Sequence, residues 1–385
     1  MRTLRVAVCL AVAAAGLLAL SGADRNRPPA QVFDRSAAPG PLAAKLDGAL
    51  AEAPKSAPGR AFWVGYAIDR LMGENSHIGS YNSGRAGRDV AIRDILAGKT
   101  SPARPEDTPG DLRDSAKAAL DRLERKGQPE KMVLKELGFF LEYGPGGSPV
   151  LAEVRMSDLD LSFDFEGEPL FWLGKAPEAQ SLALVEGLYS RNRGDKVRES
   201  LIAAAGCHGS PKLVLPFLEG VLAGDSADGL RKDAAFWIGQ QNDADGLRLL
   251  ARTARADRSE EVREGAVFGI SQVELPGAVD ELISLARDAD RRDVRKQAVF
   301  WLGQQASEKS GKFLEEVARE DGDLEVREHA LFALSELPEN GGLDALIKLA
   351  KTHPDARIRK KAVFWLGESD DPRALDAIIA IIKGK

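Results

Sequence analysis

The residues whose types could do chemistry gather in one polar segment, residues 73–87, which is rich in Gly, Ser, Asn, His and Tyr. Within it Glu74, His77, Tyr81 and Asn82 offer a carboxylate, an imidazole, a phenol and an amide, which are groups that acid–base catalysis and ligand binding use. Irregular segments of this length often carry function. No spacing among the four residues demands a particular reaction, so a solvated loop or a partner contact is the alternative interpretation of this candidate functional loop.

Cys207-His208 is the next pair that could react, because it places a thiol beside an imidazole. Neighbouring residues at the end of a helix point in different directions and are poorly placed to act together. The sequence therefore favours a buried thiol over a nucleophile.

Two other motifs fail on spacing. Ala97-Gly-Lys-Thr100 resembles the end of a phosphate-binding loop, but Arg93 stands where that loop has its first glycine. Asp158-x-Asp160-x-Ser162 resembles a calcium loop, but Phe163 replaces the turn glycine and Pro169 replaces the bidentate glutamate. The sequence thus predicts no catalytic residue, no metal ligand and no cofactor.

The C-terminal two-thirds of the chain repeats one phrase, which reads Val294-Arg-Lys-Gln-Ala-Val-Phe-Trp-Leu-Gly303 in one copy. Its apolar residues Val294, Ala298, Trp301 and Leu302 recur at helical spacing. An arginine marks each copy, and successive arginines are 33 or 32 residues apart. They are Arg198, Arg231, Arg263, Arg295, Arg327 and Arg359. A fixed period of this size predicts a stacked array of helical hairpins.

Large and small residues alternate at one position of the phrase, two residues before its closing Gly or Ser. They are Trp172, Ala204, Trp237, Gly269, Trp301, Ala333 and Trp365. The residue after the arginine alternates in phase between Glu and Lys, so the structural unit is two repeats. We expect each indole to spread over the gap that the small residue leaves on the next helix, and the Glu and Lys residues to pair across neighbouring repeats.

The motif carries a resemblance to a known family. Asp-x-x-x-Val-Arg-x-x-Ala-x-x-x-Leu-Gly, followed by Asp-Asp-Pro-x-Ala-Leu-x-x-Ile-Ile, is similar to the short HEAT-like repeat of the phycobilin-lyase type, and the copy at residues 355–382 matches it best. The resemblance covers residues 169–385. It implies a mainly α protein, an α-solenoid of about seven HEAT-like helical hairpins with a small N-terminal α/β module.

The resemblance also bears on the arginines and on metal chemistry. It implies a buried row of Asp and Arg, although helix capping explains the acids equally well because Ser259, Asp290 and Asp323 stand where N-caps belong. Iron hydroxylases built on such repeats carry His-Glu pairs in several units, whereas this chain has Glu328-His329 in reversed order. Metal-dependent catalysis on the array is therefore not expected.

Residues 60–168 predict the small α/β module. Residues 62–68 read as a strand, and residues 132–143 and 150–156 read as a β-hairpin around a Gly/Pro turn. Residues 158–166 alternate acidic and apolar residues, which predicts a half-buried strand with the acids on one face. Helices are predicted at residues 89–96 and 111–126.

Residues 24–59 are rich in Pro and Ala and predict a linker with at most one short helix near residues 42–50. Ahead of it, Arg2 and Arg5 precede an apolar run from Val6 to Leu20 and a group of small residues, the pattern of a signal peptide over residues 1–23. Ala23 stands where a lipoprotein needs cysteine. We expect a periplasmic or secreted protein; an uncleaved N-terminal anchor is the alternative.

Charge and cysteine content limit the partners. The formal net charge is −6, and it becomes −8 when the signal segment takes Arg2 and Arg5 with it. An acidic excess argues against a nucleic-acid partner. Cys9 leaves with the same segment, so Cys207 has no partner for an internal disulfide.

These features predict a protein–protein interaction scaffold or adaptor that uses the solenoid surface in the periplasm. The alternative is an enzyme, or an accessory subunit of one, with its site in the N-terminal module. The absence of a catalytic motif in the sequence favours the scaffold. No feature of the sequence identifies the partner or the oligomeric state.

Overall fold

The computed structural model describes residues 27–79, 90–99, 131–305 and 308–383 of the chain. The chain divides into two compact units, Met1–Gly209 and Ser210–Lys385. Within the described ranges, no helix is long and apolar enough to cross a membrane. The predicted signal peptide and the helix predicted at residues 111–126 lie outside the described residues.

The N-terminal unit is built on a mixed sheet of strand order β1-β5-β2-β3-β4. Its elements in chain order are β1 Val32–Asp34, α1 Leu42–Ser56, β2 Phe62–Gly73, α2 Ile92–Leu96, β3 Met132–Tyr143, β4 Leu151–Asp158, β5 Leu170–Lys175, α3 Glu178–Arg191 and α4 Asp195–Gly206. Strands β3 and β4 form the antiparallel hairpin predicted from the sequence, with Leu141 opposite Val154. Strand β5 pairs in parallel with both β1 and β2.

Both faces of this sheet are buried. On one face Trp63 and Phe140 belong to an apolar cluster, and the Phe140 ring lies against the backbone of Gly65 and Gly138. A Cβ added at Gly138 would come within 2.7 Å of that ring, so glycine is required there. On the other face Tyr66 and Phe139 stack with ring centroids 5.2 Å apart. A sheet covered on both faces tolerates little polarity on its central strands.

The segment after β4 departs from the prediction of a strand at residues 158–166. Leu159, Leu161, Phe163 and Phe165 are buried, as the alternation predicts. The backbone, however, turns after Asp158 and crosses over the sheet, with an isolated bridge at Ser162 as its strand-like contact. The Leu159 amide still donates to Glu136 of β3, but beyond it the Leu161 amide donates back to Asp158 and the Phe165 amide donates to Arg27, outside any strand. The segment is therefore a strap over the aromatic core, and Asp158, expected among exposed acids, is buried.

The predicted linker at residues 24–59 holds regular structure. Helix α1 buries Leu42, Leu46, Ala49 and Ala53, which form a single helical stripe. Proline content is compatible with this helix because Pro54 lies in its last turn and Pro41 lies just before it. The prolines therefore mark the ends of an element, not an unstructured tether.

Trp172 requires a correction. The repeat pattern predicts that it lies in the first helical repeat, but it lies on strand β5 of the sheet. Strand alternation buries Phe171 on one face and turns Trp172 towards the other. Gly174, which closes the phrase, has a positive φ of 82° and lies against Ser36. The same four residue types thus form a strand here and a helix end in the array.

The C-terminal unit is an array of helices in two layers. The inner layer contains α6 Asp228–Gln240, α8 Glu260–Gln272, α10 Arg292–Gly303, α12 Leu324–Ser335 and α14 Ala356–Gly367. The outer layer contains α5 Pro211–Gly224, α7 Ala244–Ala256, α9 Gly277–Asp288, α11 Glu308–Glu320, α13 Leu343–Thr352 and α15 Pro372–Ile382. Val294, Ala298 and Leu302 are buried as the apolar stripe of α10. This architecture confirms the predicted mainly α fold with a helical solenoid.

Successive inner helices approach each other closely at every second step. A Cβ added at Gly239 of α6 would lie 2.5 Å from the carbonyl oxygen of Gly269 of α8. One added at Gly303 of α10 would lie 2.8 Å from the carbonyl oxygen of Ala333 of α12. Glycine facing a small residue therefore lets two backbones touch. Gly367 of α14 has no such neighbour within 4 Å.

The repeated arginines join consecutive repeats. Arg231 pairs with Asp257 at 2.9 Å and Arg263 pairs with Asp293 at 2.6 Å, and both guanidinium groups are almost fully buried. Several of the arginines also donate to the carbonyl oxygen six residues earlier, as Arg263 does to Asp257 at 3.0 Å. This second bond satisfies a loop carbonyl that burial would otherwise leave unpaired.

The other repeated arginines have longer ion pairs or bond to other groups. Arg295 and Arg327 lie 3.9 Å from Asp323 and Asp355, and Arg359 donates to the carbonyl oxygen of His353 at 2.7 Å. In the N-terminal unit, Arg198 lies over the ring of Tyr189 on α3.

The acids next to these arginines divide between capping and pairing. Asp323 and Asp355 cap α12 and α14 through backbone N–H groups. Ser259 occupies an N-cap position without a side-chain capping bond, and Arg291, not Asp290, precedes α10.

The alternating Glu and Lys residues do not pair with each other. Lys232 bonds Glu261 at 3.0 Å and Lys296 lies 3.6 Å from Glu325, so each lysine reaches an acid in the first turn of the next inner helix. Glu264 instead accepts from the side-chain amide of Gln297. The pairs are exposed and contribute little stability. The expected contact between neighbouring repeats is therefore present, but the lysines pair with different acids from those expected.

We expect Gly303→Ala to lower the free energy of unfolding by about 1–3 kcal/mol, because the new methyl group would collide with the α12 backbone. Gly367→Ala is the matched control, since Gly367 ends α14 as Gly303 ends α10 but faces open space. Alanine is the better helix former, so the control should be unchanged or slightly more stable. Urea unfolding of both variants measures this, and equal effects would contradict the close-approach argument.

Candidate functional site

A continuous row of aromatic side chains runs along the inner layer of the C-terminal unit. We call it the aromatic row, and it consists of Phe236, Trp237, Phe268, Phe300, Trp301, Phe332, Phe364 and Trp365. Neighbouring ring centroids are 4.9–6.3 Å apart. These separations are typical of favourable aromatic pairs. Five inner helices thus contribute to one connected surface.

The row explains why large and small residues alternate. Across the close step from α6 to α8, Phe236 stacks directly on Phe268 at 5.9 Å. Across the next step, the indole of Trp301 lies between Phe268 at 4.9 Å and Phe300 at 5.0 Å. Tryptophan therefore fills the wide steps, and the small residue permits the close ones.

The same order recurs one two-repeat unit later. Phe300 stacks on Phe332 at 6.3 Å, and Trp365 then lies between Phe332 at 5.2 Å and Phe364 at 5.0 Å. This corrects the expectation that the indole covers the small residue: the small residue faces the closing glycine of the preceding inner helix.

The aromatic row is partly open to solvent. Trp237, Trp301 and Trp365 are intermediate in exposure, and Phe364 is 51% exposed. They are neither buried core residues nor isolated surface residues. Half-exposed Trp and Phe side chains held by their neighbours are typical of the anchor residues of protein interfaces. The row can bind apolar groups of a partner with little loss of side-chain entropy.

The candidate loop is only in part within the described residues, since Tyr81 and Asn82 lie outside them. The Glu74 carboxylate lies 3.4 Å from Lys131 Nζ. His77 Nδ1 lies 2.9 Å from Asp158 Oδ2, and Lys135 Nζ donates to the Ser76 carbonyl oxygen at 2.5 Å. The structure therefore brings His77 together with Asp158 and Lys135, which the sequence analysis did not connect with the loop.

Burial dominates the electrostatics of this cluster. The Asp158 side chain is 1% exposed, and this burial raises the pKa of its carboxyl group. The hydrogen bond from His77 and the charge of Lys135, whose Nζ lies 3.9 Å away, oppose the shift without cancelling it. Within the described residues, Asp158 Oδ1 has no hydrogen-bond partner. Burial thus makes the Asp158 carboxyl group harder to ionise than that of an exposed aspartate.

His77 is the accessible member of the cluster. Its side chain is 42% exposed, and Nδ1 is committed to Asp158, which leaves Nε2 on the other side of the ring. A histidine oriented by a buried carboxylate is an arrangement that general bases use. The arrangement also fits a structural role, because the bond holds residues 74–79 against the end of β4.

A buried polar network that the sequence analysis missed joins β2, α3 and the end of α4. His208 Nε2 lies 2.8 Å from Ser181 Oγ, which lies 3.0 Å from Tyr66 Oη. His208 Nδ1 donates to the carbonyl oxygens of Ala204 and Ala205, so Nε2 accepts from Ser181. Burial lowers the pKa of His208, which matches this neutral form.

The serine and histidine of this network resemble a nucleophile and its base, but all three side chains are buried. A substrate therefore has no access to Ser181 in this arrangement. We interpret the network as structural. The signal that could have revealed it is Ser181 on an otherwise apolar helix face, three positions before Leu184.

Cys207 is a free, buried thiol, and burial raises its pKa. A raised pKa leaves little thiolate at neutral pH and so little nucleophile. Arg70 donates to the Cys207 carbonyl oxygen, which fixes the end of α4 against β2. Cys207 and His208 therefore have structural roles at the packed end of α4.

The remaining motifs take structural roles. Asp160 pairs with Arg93 at 2.7 Å and Lys99 pairs with Asp94 at 2.8 Å. His329 lies beside Phe300 and Phe332 of the aromatic row. Across the described ranges, no three His, Cys, Asp or Glu side chains are arranged to hold a metal ion.

An open groove of about 640 Å³ lies near the ends of α5 and α7 in the C-terminal unit. Its wall contains Arg231 and Asp257, which bond each other, and Arg252, which lies 3.6 Å from Glu219. The charges of the wall largely offset one another.

The C-terminal array matches a known family. The family profile described as HEAT repeats matches residues 215–303, 246–335 and 311–385. These overlapping matches cover the inner and outer helices of the C-terminal unit from the middle of α5 onwards. Residues 215–385 therefore form HEAT-like repeats.

Solved structures similar to this chain share low identity with it. Human deoxyhypusine hydroxylase in complex with glycerol is 16% identical over 52% of this chain and 77% of its own, with a TM-score of 0.29. The complex of CpcE and CpcF of phycocyanin lyase from Nostoc sp. PCC7120 is 18% identical over 51% and 79%, with a TM-score of 0.30. YIBA_ECOLI is 20% identical over 53% and 76%, with a TM-score of 0.33. No curated protein matches the sequence.

We expect Asp158 to make stability depend on pH. Its folded pKa is raised above the ordinary value of 3.8, so the stability it contributes is present below that value and is lost as the pH rises through the folded pKa. The difference in unfolding free energy between Asp158→Asn and the wild type should therefore shift in favour of the variant from pH 4 to pH 7. Urea unfolding at a series of pH values measures it.

Asp160→Asn is the control, because it removes a neighbouring carboxylate that is 59% exposed. A difference for Asp158→Asn that stays constant with pH would show that His77 and Lys135 balance the effect of burial, and one that moves against the variant would show that they outweigh it; either result would contradict the prediction.

Proposed function

We propose that this HEAT-like protein is a scaffold or adaptor that binds a protein partner through the aromatic row. The observation that carries the proposal is the row itself: eight connected rings, partly exposed, on the inner layer of a repeat array. A monomer that used these rings for stability alone would gain most by burying them. Half-exposed aromatic side chains on a rigid support favour binding instead.

The layout of the array supports this assignment. The inner helices are joined by glycine contacts and by buried arginine pairs, neither of which uses the aromatic edges. The surface is therefore preorganised, and a partner would lose little affinity to rearrangement of the protein. Extended surfaces of repeat arrays commonly bind other proteins in this way.

We also propose that the protein acts outside the cytoplasm. The support is the N-terminal sequence, in which Arg2 and Arg5 precede an apolar run that ends in small residues. Cleavage after Ala23 would leave a chain that begins at Asp24. The partner would then be a periplasmic or secreted protein.

The experiment is crosslinking and affinity capture from the periplasmic fraction with the full-length protein. A specific partner should be recovered with the wild type and reduced by about tenfold or more with Trp301→Ala or Phe332→Ala, since central aromatic anchors dominate binding energy. N-terminal sequencing of the same preparation should begin at Asp24.

Leu375→Ala is the matched control, because Leu375 is apolar and 62% exposed but lies on outer helix α15. All variants are first checked for cooperative thermal unfolding. Equal recovery of the partner with the wild type and both aromatic variants would refute the assignment of the aromatic row as the binding surface.

A second candidate function is an enzyme or enzyme subunit with its site at His77. The observation that favours it is the 2.9 Å contact between exposed His77 and buried Asp158. Replacing His77 by Gln in the genome should then reproduce the phenotype of deleting the gene while partner capture is unchanged. A normal phenotype for His77→Gln would leave the pair a structural role.

A further inference from the structure

The aromatic row ends on α14, and this helix differs from the other inner helices in charge. Its sequence contains Arg357, Arg359, Lys360 and Lys361 and no acidic residue. Each of the other inner helices contains at least one acidic residue, and α8 and α12 contain more acidic than basic residues. A basic helix on a chain with a formal charge of −6 is a local feature, not a property of the whole protein.

The four cations of α14 have different surroundings. Arg357 pairs with Asp355 at 2.8 Å, and Arg359 donates to the His353 and Pro354 carbonyl oxygens. In the part of the chain that the structure describes, Lys360 and Lys361 have no carboxylate within ion-pair distance. Two ammonium groups are therefore available to an external acid.

Lys360 differs from the lysines at the same position of earlier repeats. Lys232 on α6 and Lys296 on α10 occupy the same repeat position, and each reaches an acid of the next inner helix, Glu261 at 3.0 Å or Glu325 at 3.6 Å. Lys361 takes the position that Asp233 and Gln297 occupy on those helices. On α14, Lys360 thus lacks the glutamate partner that its equivalents have. Lys361 adds a second positive charge where the equivalent residues are acidic or neutral.

Lys361 borders the most exposed ring of the aromatic row. Lys361 Nζ lies 5.3 Å from the centroid of Phe364 and 5.7 Å from that of Trp365. Phe364 is 51% exposed, whereas Trp365 also packs on Phe332. An ammonium held over an aromatic face keeps its charge outward while the ring edge stays open for apolar contact.

We infer that the end of the aromatic row on α14 binds an acidic protein segment that also carries apolar side chains. Carboxylates of the segment would pair with Lys360 and Lys361, and its apolar side chains would pack on Phe364 and Trp365. This inference rests on the proposed function and specifies the chemistry of the partner. Complementary charge next to an aromatic anchor increases both the rate of association and the specificity of binding.

A membrane surface is the less suitable ligand for this chemistry. A helix that lies on a bilayer inserts a broad apolar face between the lipids. On α14 the buried residues Ile358, Ala362 and Leu366 form the apolar face, and they pack inside the array. The open surface offers one exposed ring and one partly covered indole, which suits a peptide better than a bilayer.

The test uses the full-length protein and a short fluorescein-labelled peptide in which Glu alternates with Leu and Phe. A second peptide has Gln in place of every Glu, and phosphatidylglycerol vesicles form a third probe. Fluorescence anisotropy should show the Glu peptide binding at least about tenfold more tightly than the Gln peptide. The affinity for the Glu peptide should fall as sodium chloride is added.

Variants locate the site. The double variant Lys360→Glu/Lys361→Glu and the variant Phe364→Ala should each weaken binding by about tenfold or more. The double variant should regain binding when Lys replaces Glu in the peptide, which a merely misfolded protein would not do. Lys212→Glu and Leu375→Ala, which alter an exposed lysine and an exposed leucine of the outer layer, should bind as the wild type does.

Equal binding of the Glu and Gln peptides, or equal loss with the outer-layer variants, would overturn the inference. Binding to the vesicles without binding to the Glu peptide would assign the surface to membranes and also overturn it. Partner capture that depends on Trp301 and Phe332 while the Glu peptide fails would overturn this inference and leave the scaffold proposal standing. If the Glu peptide binds but partner capture does not depend on Trp301 and Phe332, the centre of the aromatic row is not the partner-binding surface. The α14 site would still stand.

Discussion

The C-terminal unit depends on the contact between backbones at every second step of its inner layer. Gly239 against Gly269, and Gly303 against Ala333, bring two helices closer than any side chain would allow. Packing at native density then requires a larger residue at the intervening step. The indoles of Trp301 and Trp365 fill that volume between phenyl rings. A spacing constraint of the main chain thus produces the two-repeat period, and the aromatic row is its consequence.

Different contacts in the array serve cohesion and surface chemistry. Buried arginines join consecutive repeats by pairing with an aspartate and, in several cases, a loop carbonyl. Exposed lysines such as Lys232 make weaker contacts that solvent screens. The aromatic edges take part in neither set. Because the exposed charged residues contribute little to cohesion, they can change from repeat to repeat, as they do between α8 and α14, without loss of the stack.

The array was predictable from sequence because its signal is repeated and local. The period, the apolar stripe and the arginine spacing each recur several times. A wrong interpretation of one copy therefore does not change the predicted fold. The N-terminal unit offers one copy of each feature. Phe171-Trp172 therefore looked like another repeat, although pairing with β1 and β2 places it on a strand. Tertiary pairing overrides local similarity there. In α1 the stripe of Leu42, Leu46 and Ala49 lies within the short helix expected near residues 42–50, whereas the extension of the helix to Ser56, past Pro54, was not predicted because of the proline content.

The contacts around the candidate loop could not be predicted for a related reason. His77 and Asp158 are 81 residues apart, and no periodicity connects them. The alternation of acidic and apolar residues also predicted that Asp158 would be exposed. The chain turns directly after Asp158, and its side chain is buried. Alternation predicts which residues share a face only while the strand continues. Beyond its last residue, side-chain direction depends on the turn, and the turn depends on contacts that the local sequence does not contain. Buried polar groups of this kind are therefore visible only in three dimensions, whereas the aromatic row could be anticipated in part because it repeats.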